Sequence, residues 1–128
     1  RYKDFLTLLI ASLIAKRFAE QQPPFTADAL STTYRIPIRL TSQILFQLKR
    51  LGIINEVSYG GDERVIHYQP AMDIHQLTVS YLLDKMDREG SEDFKIDTAR
   101  LFSPEWKALL KTREDMMRAG EHILLKDL

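Results

Sequence analysis

"YRIPIRLTSQILFQLKRLGII", Tyr34 to Ile54, is the stretch that decides how this 128-residue chain folds. A proline such as Pro37 is preorganised for the first turn of a helix, and Gly52 suits the left-handed residue that ends one. Between them Leu40, Ile44, Leu48 and Leu51 share one arc when residues are spaced at about 100°, with Thr41 and Leu45 on its flank. The opposite face carries Arg39, Ser42, Gln43, Phe46, Lys49 and Arg50. An amphipathic helix that starts at Ile36-Pro37 and runs into β-prone residues reads as the second half of a helix-turn-helix, followed by a strand.

The flanks agree with that reading. Upstream, Thr26 caps a short helix, "ADALSTTY", with Asp28 in the first turn where the helix dipole favours an acid. Before it, Pro23-Pro24 cannot continue a helix and extends the chain. Asp4 caps a first helix running to about Gln21, with Leu6, Leu9, Ile10, Leu13, Ile14 and Phe18 at helical spacing. Leu8 and Ala11 widen that stripe nearly all round, so this helix needs cover on more than one side.

Downstream, "IINEVS" (Ile53 to Ser58) and "RVIHYQ" (Arg64 to Gln69) are β-prone, and "YGGDE" between them supplies glycines for a hairpin. Asp73 then caps a fourth helix through "IHQLTVSYLLDKMDRE", closed by Gly90, with Leu77, Tyr81, Leu82 and Met86 as its stripe. "SEDFKIDTARLF" is polar and aperiodic, a loop. Ser103-Pro104-Glu105 opens a further helix that holds Trp106, Leu109 and Leu110 and ends near Gly120. The tail "EHILLKDL" forms one more turn or frays. The fold class is mainly α with a small β-hairpin: a winged helix-turn-helix (1–70) and a C-terminal helical extension packed on it (71–128), one domain overall.

Composition narrows the chemistry. Eighteen basic and eighteen acidic side chains balance, yet residues 1–70 hold nine basic groups against six acids, and residues 71–128 nine against twelve. There is no cysteine, which excludes disulfides, thiolate metal sites and a cysteine nucleophile. His67, His75 and His122 are scattered, without the short spacing of a zinc or iron site. Asp84, Asp87 and Glu92-Asp93 read as solvated charge, and Gly60-Gly61 is a turn with no phosphate-loop Lys-Ser/Thr after it. No catalytic residue, metal ligand or cofactor site is expected. The longest apolar run, Phe5 to Ala15, is eleven residues against the roughly twenty that a membrane span needs. Lys16-Arg17 follows it in place of a signal-peptide cleavage site. The chain opens on Arg1, which suggests a piece of a longer protein.

The polar face of the third helix admits two readings, a solvated surface or a DNA reader. In a reader, Arg39, Ser42 and Gln43 approach base edges while Lys49 and Arg50 approach phosphates. Phe46 sits awkwardly among them. It is an incidental exposed aromatic, or it anchors a protein partner, or it lies buried beneath the C-terminal helices, where it would block DNA. The wing tip, Gly60-Gly61-Asp62-Glu63-Arg64, sets two acids against one base and would repel phosphate.

Taken together, "YKDFLTLLIASLIAKRF", "PFTADAL", "RIPIRLTSQIL", "YQPAMDIHQLTV", "GSEDFKID" and "FSPEWKALLKTREDM" resemble the C-terminal region of ribonuclease BN-like (BrkB- or YihY-like) membrane proteins. The resemblance implies a winged-helix module on the cytoplasmic face of the inner membrane, with Arg1 just beyond the last span of a longer chain. It also implies a non-catalytic role in protein–protein or self association. The tRNA-processing activity suggested by the family name would need a histidine-rich zinc cluster, which this sequence lacks. The expectation is therefore a membrane protein's interaction module, with protein partners ranked above DNA. A DNA-binding winged-helix transcription regulator is the alternative, and a tRNA-processing ribonuclease a distant third.

Overall fold

The computed structural model describes residues 2–89 and 102–128. Gly90, expected to close a helix, the Glu92-Asp93 pair and nearly all of the expected 91–102 loop lie outside them. The elements in chain order are α1 (Tyr2–Ala19), α2 (Ala27–Tyr34), α3 (Ile38–Arg50), β1 (Ile54–Val57), β2 (His67–Pro70), α4 (Val79–Glu89), α5 (Ser103–Gly120) and a closing 3₁₀ turn (Leu125–Asp127). This is the mainly helical winged-helix arrangement, three helices and an antiparallel hairpin with further helices behind.

Helix α1 buries Thr7, Ile10, Ala11, Ser12, Ile14 and Ala15, with Leu6, Leu8, Leu9 and Leu13 partly covered around them, so it is covered on more than one side, by α3, β2 and the closing turn. Its two buried hydroxyls are satisfied within the helix: Thr7 Oγ1 donates to the Lys3 carbonyl (2.7 Å) and Ser12 Oγ to that of Leu9 (2.8 Å). The helix begins at Tyr2, so Asp4 lies in its first turn instead of capping it, and it stops at Ala19, short of Gln21. Gln21 takes a left-handed conformation (φ 57°) before the two prolines.

The Thr26 cap of α2 forms as expected, Thr26 Oγ1 accepting the Ala29 N–H at 3.0 Å. Pro37 stands at the cap of α3 and not inside it; its carbonyl accepts the Thr41 N–H at 2.9 Å. The buried seam of α3 is Thr41, Ile44, Leu45 and Leu48, while Leu40 and Leu51 are only half-buried. The arc expected from the sequence is thus rotated toward Thr41 and Leu45. At the far end Gly52 (φ 76°) donates to the Lys49 carbonyl and Ile53 to that of Leu48. These are the paired bonds of a glycine-dependent helix stop.

The wing pairs Ile54 with Pro70 and Val57 with His67. The first strand is a residue shorter at each end than "IINEVS", and the second starts three residues later than Arg64. Asp62 explains the delay. Its carboxylate accepts the Arg64 N–H (3.0 Å) and its carbonyl the Val65 N–H (3.2 Å), adding a second turn after the Gly60-Gly61 turn. Tyr68 N–H donates to the Phe25 carbonyl at 2.9 Å, which ties the hairpin to the chain ahead of α2.

Helix α4 starts five residues later than its expected Ile74 start. Asp73 does act as a cap, but of a single turn: its carboxylate accepts the His75 N–H at 2.9 Å. The tail pairs with the segment just ahead of α4 through a bridge between Thr78 and Leu124, Val79 N–H donating to the Ile123 carbonyl (2.9 Å) and Leu125 N–H to the Leu77 carbonyl (3.0 Å). The helix begins at Val79, directly after the bridged Thr78, whose Oγ1 accepts the Tyr81 N–H at 3.0 Å. Of the expected stripe Leu77 and Leu82 are buried, Met86 is half-buried and Tyr81 exposed. The tail is docked: Leu125 is fully buried against the core and Lys16 Nζ reaches the Leu128 carbonyl at 3.4 Å.

Among the described residues no helix is long and apolar enough to cross a membrane.

Candidate nucleic-acid interface

The outward face of α3 is open. Arg39, Ser42, Gln43, Phe46, Lys49 and Arg50 are all exposed, and Lys3 of α1 and Gln47 share a shallow groove with most of them. Helical spacing sets the row: Arg39, Ser42 or Gln43, and Phe46 recur once per turn on the side opposite the buried seam.

This row has two unlike halves. At its N-terminal end Arg39, Ser42 and Gln43 make no side-chain hydrogen bond or ion pair among the described residues. At the C-terminal end the cations are engaged. Lys49 Nζ lies 3.2 Å from Glu56 Oε1 on β1. Arg50 grips Glu89, the last residue of α4, with two parallel bonds, Nε to Oε2 at 2.8 Å and Nη2 to Oε1 at 2.7 Å. Gln47 Nε2 adds a third donor to the same carboxylate at 3.3 Å. The hydrogen bonds from Arg50 hold the Glu89 carboxyl below its ordinary range, and those to Glu89 raise the Arg50 guanidinium in turn.

Phe46 is 64% exposed, so it is not buried beneath the C-terminal helices. Arg50 lies over its ring, 5.4 Å from the centroid. At the wing tip the acid is similarly engaged: Asp62 pairs with Arg64 at 3.2 Å, and these hydrogen bonds lower its carboxyl pKa.

The three histidines stay apart. His67 packs its ring 5.5 Å from that of Tyr59 in the wing, His75 faces Asp73, and His122 faces Glu121. Among the described residues no group of three or more His, Asp or Glu is placed to hold a metal.

Sequence reasoning found the α3 row but missed Lys3, Gln47 and Glu89. Lys3 and Glu89 reach the groove through helix packing, which leaves no local trace in the sequence. Gln47 could have been found, since it follows Gln43 by one turn.

Comparison with solved structures places the whole chain on one kind of scaffold. CymR, the global cysteine regulator of B. subtilis, superposes with a TM-score of 0.67 at 14% identity, over 99% of this chain and 92% of that one. IscR of T. potens gives 0.65 at 16% identity, over 99% and 82%. A protein of Listeria innocua, provisionally named a transcriptional regulator, gives 0.64 at 16%, over 99% and 83%. The fold is that of winged-helix regulators. At such identities the likeness establishes the fold alone, and function is argued from the site. No protein-family model and no curated protein matches the sequence.

These neighbours overturn the resemblance to ribonuclease BN-like membrane proteins, and with it the expected interaction module; the expected membrane-bound parent is left without support. The phrases that carried it are the general vocabulary of a helical domain: a cap with its first turn ("PFTADAL"), a proline helix start ("FSPEWKALL") and an apolar core helix. The ranking of protein partners above DNA is corrected on the same ground. Two observations behind it also lose weight. Phe46 is an open platform under Arg50, and Asp62 is occupied by Arg64.

Proposed function

We propose that this chain is a DNA-binding regulator of the winged-helix kind, with α3 lying in the major groove. The observation that carries the reading is the exposed, unengaged row of Arg39, Ser42 and Gln43 at the N-terminal end of the second helix of the helix-turn-helix. N-terminal residues of such a helix meet base edges. Arg39 can address the O6 and N7 of guanine with its fork, and Gln43 the N6 and N7 of adenine. Ser42 suits either, and the exposed Phe46 ring is suited to a thymine methyl. Lys49 and Arg50, one turn further on, serve phosphates, and Lys3 supplies another cation beside them. The basic excess of residues 1–70 has the sign this role requires.

The test is selection of a preferred duplex from a random pool, followed by titration with variants. Arg39→Ala is expected to cost about 1–3 kcal/mol at the selected site and relax its specificity. Lys49→Ala should weaken binding to all sequences alike and reduce the salt slope by about one. Failure to enrich any sequence, with no salt-dependent binding by the parent, refutes the proposal.

A further inference from the structure

We infer that Glu89 acts as an intramolecular competitor of DNA phosphate for Arg50, so that the end of α4 sets the affinity of the α3 face. This inference rests on the DNA-binding reading. The carboxylate occupies the fork of Arg50 in the bidentate manner a phosphate uses, at 2.7 and 2.8 Å. Gln47 donates to the same oxygen as Arg50 Nη2, so three N–H donors from α3 converge on one oxyanion. Phe46 supports the guanidinium from below, and Lys3 stands on the same groove. Lys3 also favours the ionised form of Glu89, though less than Arg50 does. The cradle therefore already has the donor set of a phosphate site, and its present occupant comes from the chain itself.

Occupation lowers the charge offered to DNA. With Glu89 seated, Arg50 is neutralised and a carboxylate faces the backbone phosphates; with Glu89 withdrawn, Arg50 joins Lys3 and Arg39 as an available cation of the groove. The carboxylate is carried by α4, an element outside the helix-turn-helix. On its other side α4 meets α5: Ser80 Oγ donates to the Met117 carbonyl, and Asp87 lies 4.0 Å from Arg113. A shift of α4 against α3 would thus be read directly at Arg50.

The experiment measures duplex affinity over a range of salt for the whole chain and for Glu89→Gln, Arg50→Ala, their combination, and Arg39→Ala. The probe is the duplex selected above, or a random-sequence duplex if none is enriched. Glu89→Gln should bind about five- to tenfold tighter at low salt, with a log–log salt slope steeper by about one, as for one more phosphate engaged. The gain should vanish in the Arg50→Ala background. Binding by Glu89→Gln that equals or falls below the parent's overturns the inference, as does a gain that persists without Arg50. In both cases Arg39→Ala still weakens binding and the DNA-binding reading stands. If no variant binds duplex at any salt, both proposals fall together.

Discussion

Helices α3 and α5 pose the same question and receive different answers. Each starts at a proline, each ends by a glycine or close to one, and each carries large apolar residues at helical spacing. In α3 that spacing becomes a buried seam, with Ile44 and Leu48 wholly inaccessible. In α5 only Gly120 is buried, while Trp106, Leu109, Leu110 and Met116 are 43%, 47%, 46% and 65% exposed. The reason is position. Helix α3 is enclosed by α1, α2 and β1, whereas the principal neighbour of α5 is α4. They pack tightly at the end of α5, where a Cβ on Gly120 would come within 2.8 Å of Ser80 Oγ. An amphipathic pattern states which face wants cover; it does not provide the cover.

The largest effect expected from that contrast is Ile44→Asp against Leu109→Asp. The first buries an unpaired carboxylate in a site of zero exposure and should cost more than about 4 kcal/mol, enough to unfold the domain in a thermal melt. The second adds a charge to a half-exposed position and should change stability by about 0.5 kcal/mol or less. Comparable losses from both would break the comparison, because α5 would then be covered in solution.

The tail sharpens the same point from the opposite side. Its last turn looks too short to hold itself, yet Leu125 is completely buried against α1. Leu125→Ala should cost about 2–5 kcal/mol by denaturant titration, as for other core leucines. A frayed tail would show no change.

The smallest effect concerns the engaged end of α3. Because Arg50 lowers the Glu89 carboxyl below its ordinary value of 4.5, the pair's contribution is fully present above that value. It is lost as pH falls through the lowered one. The difference in melting temperature between the parent and Glu89→Gln should therefore be constant near neutral pH and close on acidification below the ordinary range. A difference that persists unchanged at low pH would show that the carboxylate charge is not what links α4 to α3.

Much of the fold was legible because its signals are local. Thr26 three residues before an N–H it can accept, Gly52 just past an apolar seam, and paired glycines between two β-prone runs each act within a few residues. The exposed row Arg39, Ser42 and Gln43 follows from the same period that buries Ile44 and Leu48. The errors cluster where distant segments meet. Asp73 reads as the cap of the fourth helix, but a tail more than forty residues further along pairs with Thr78 and α4 starts just after it. Phe46 admits several readings in the sequence because no local signal says that it stays exposed with the Arg50 guanidinium over its ring.

By itself, then, the sequence determined the winged-helix order of elements, the caps and stops of α2 and α3, and which side chains of α3 face outward. These depend on backbone periodicity and on hydrogen bonds spanning three or four residues. Tertiary structure alone decided where α4 begins, that Leu125 belongs to the core, that α5 stands largely uncovered, and that Glu89 occupies the fork of Arg50. Each of these brings together groups far apart along the chain, such as the 39 positions between Arg50 and Glu89. No local preference encodes that meeting; it exists only once the helices have packed.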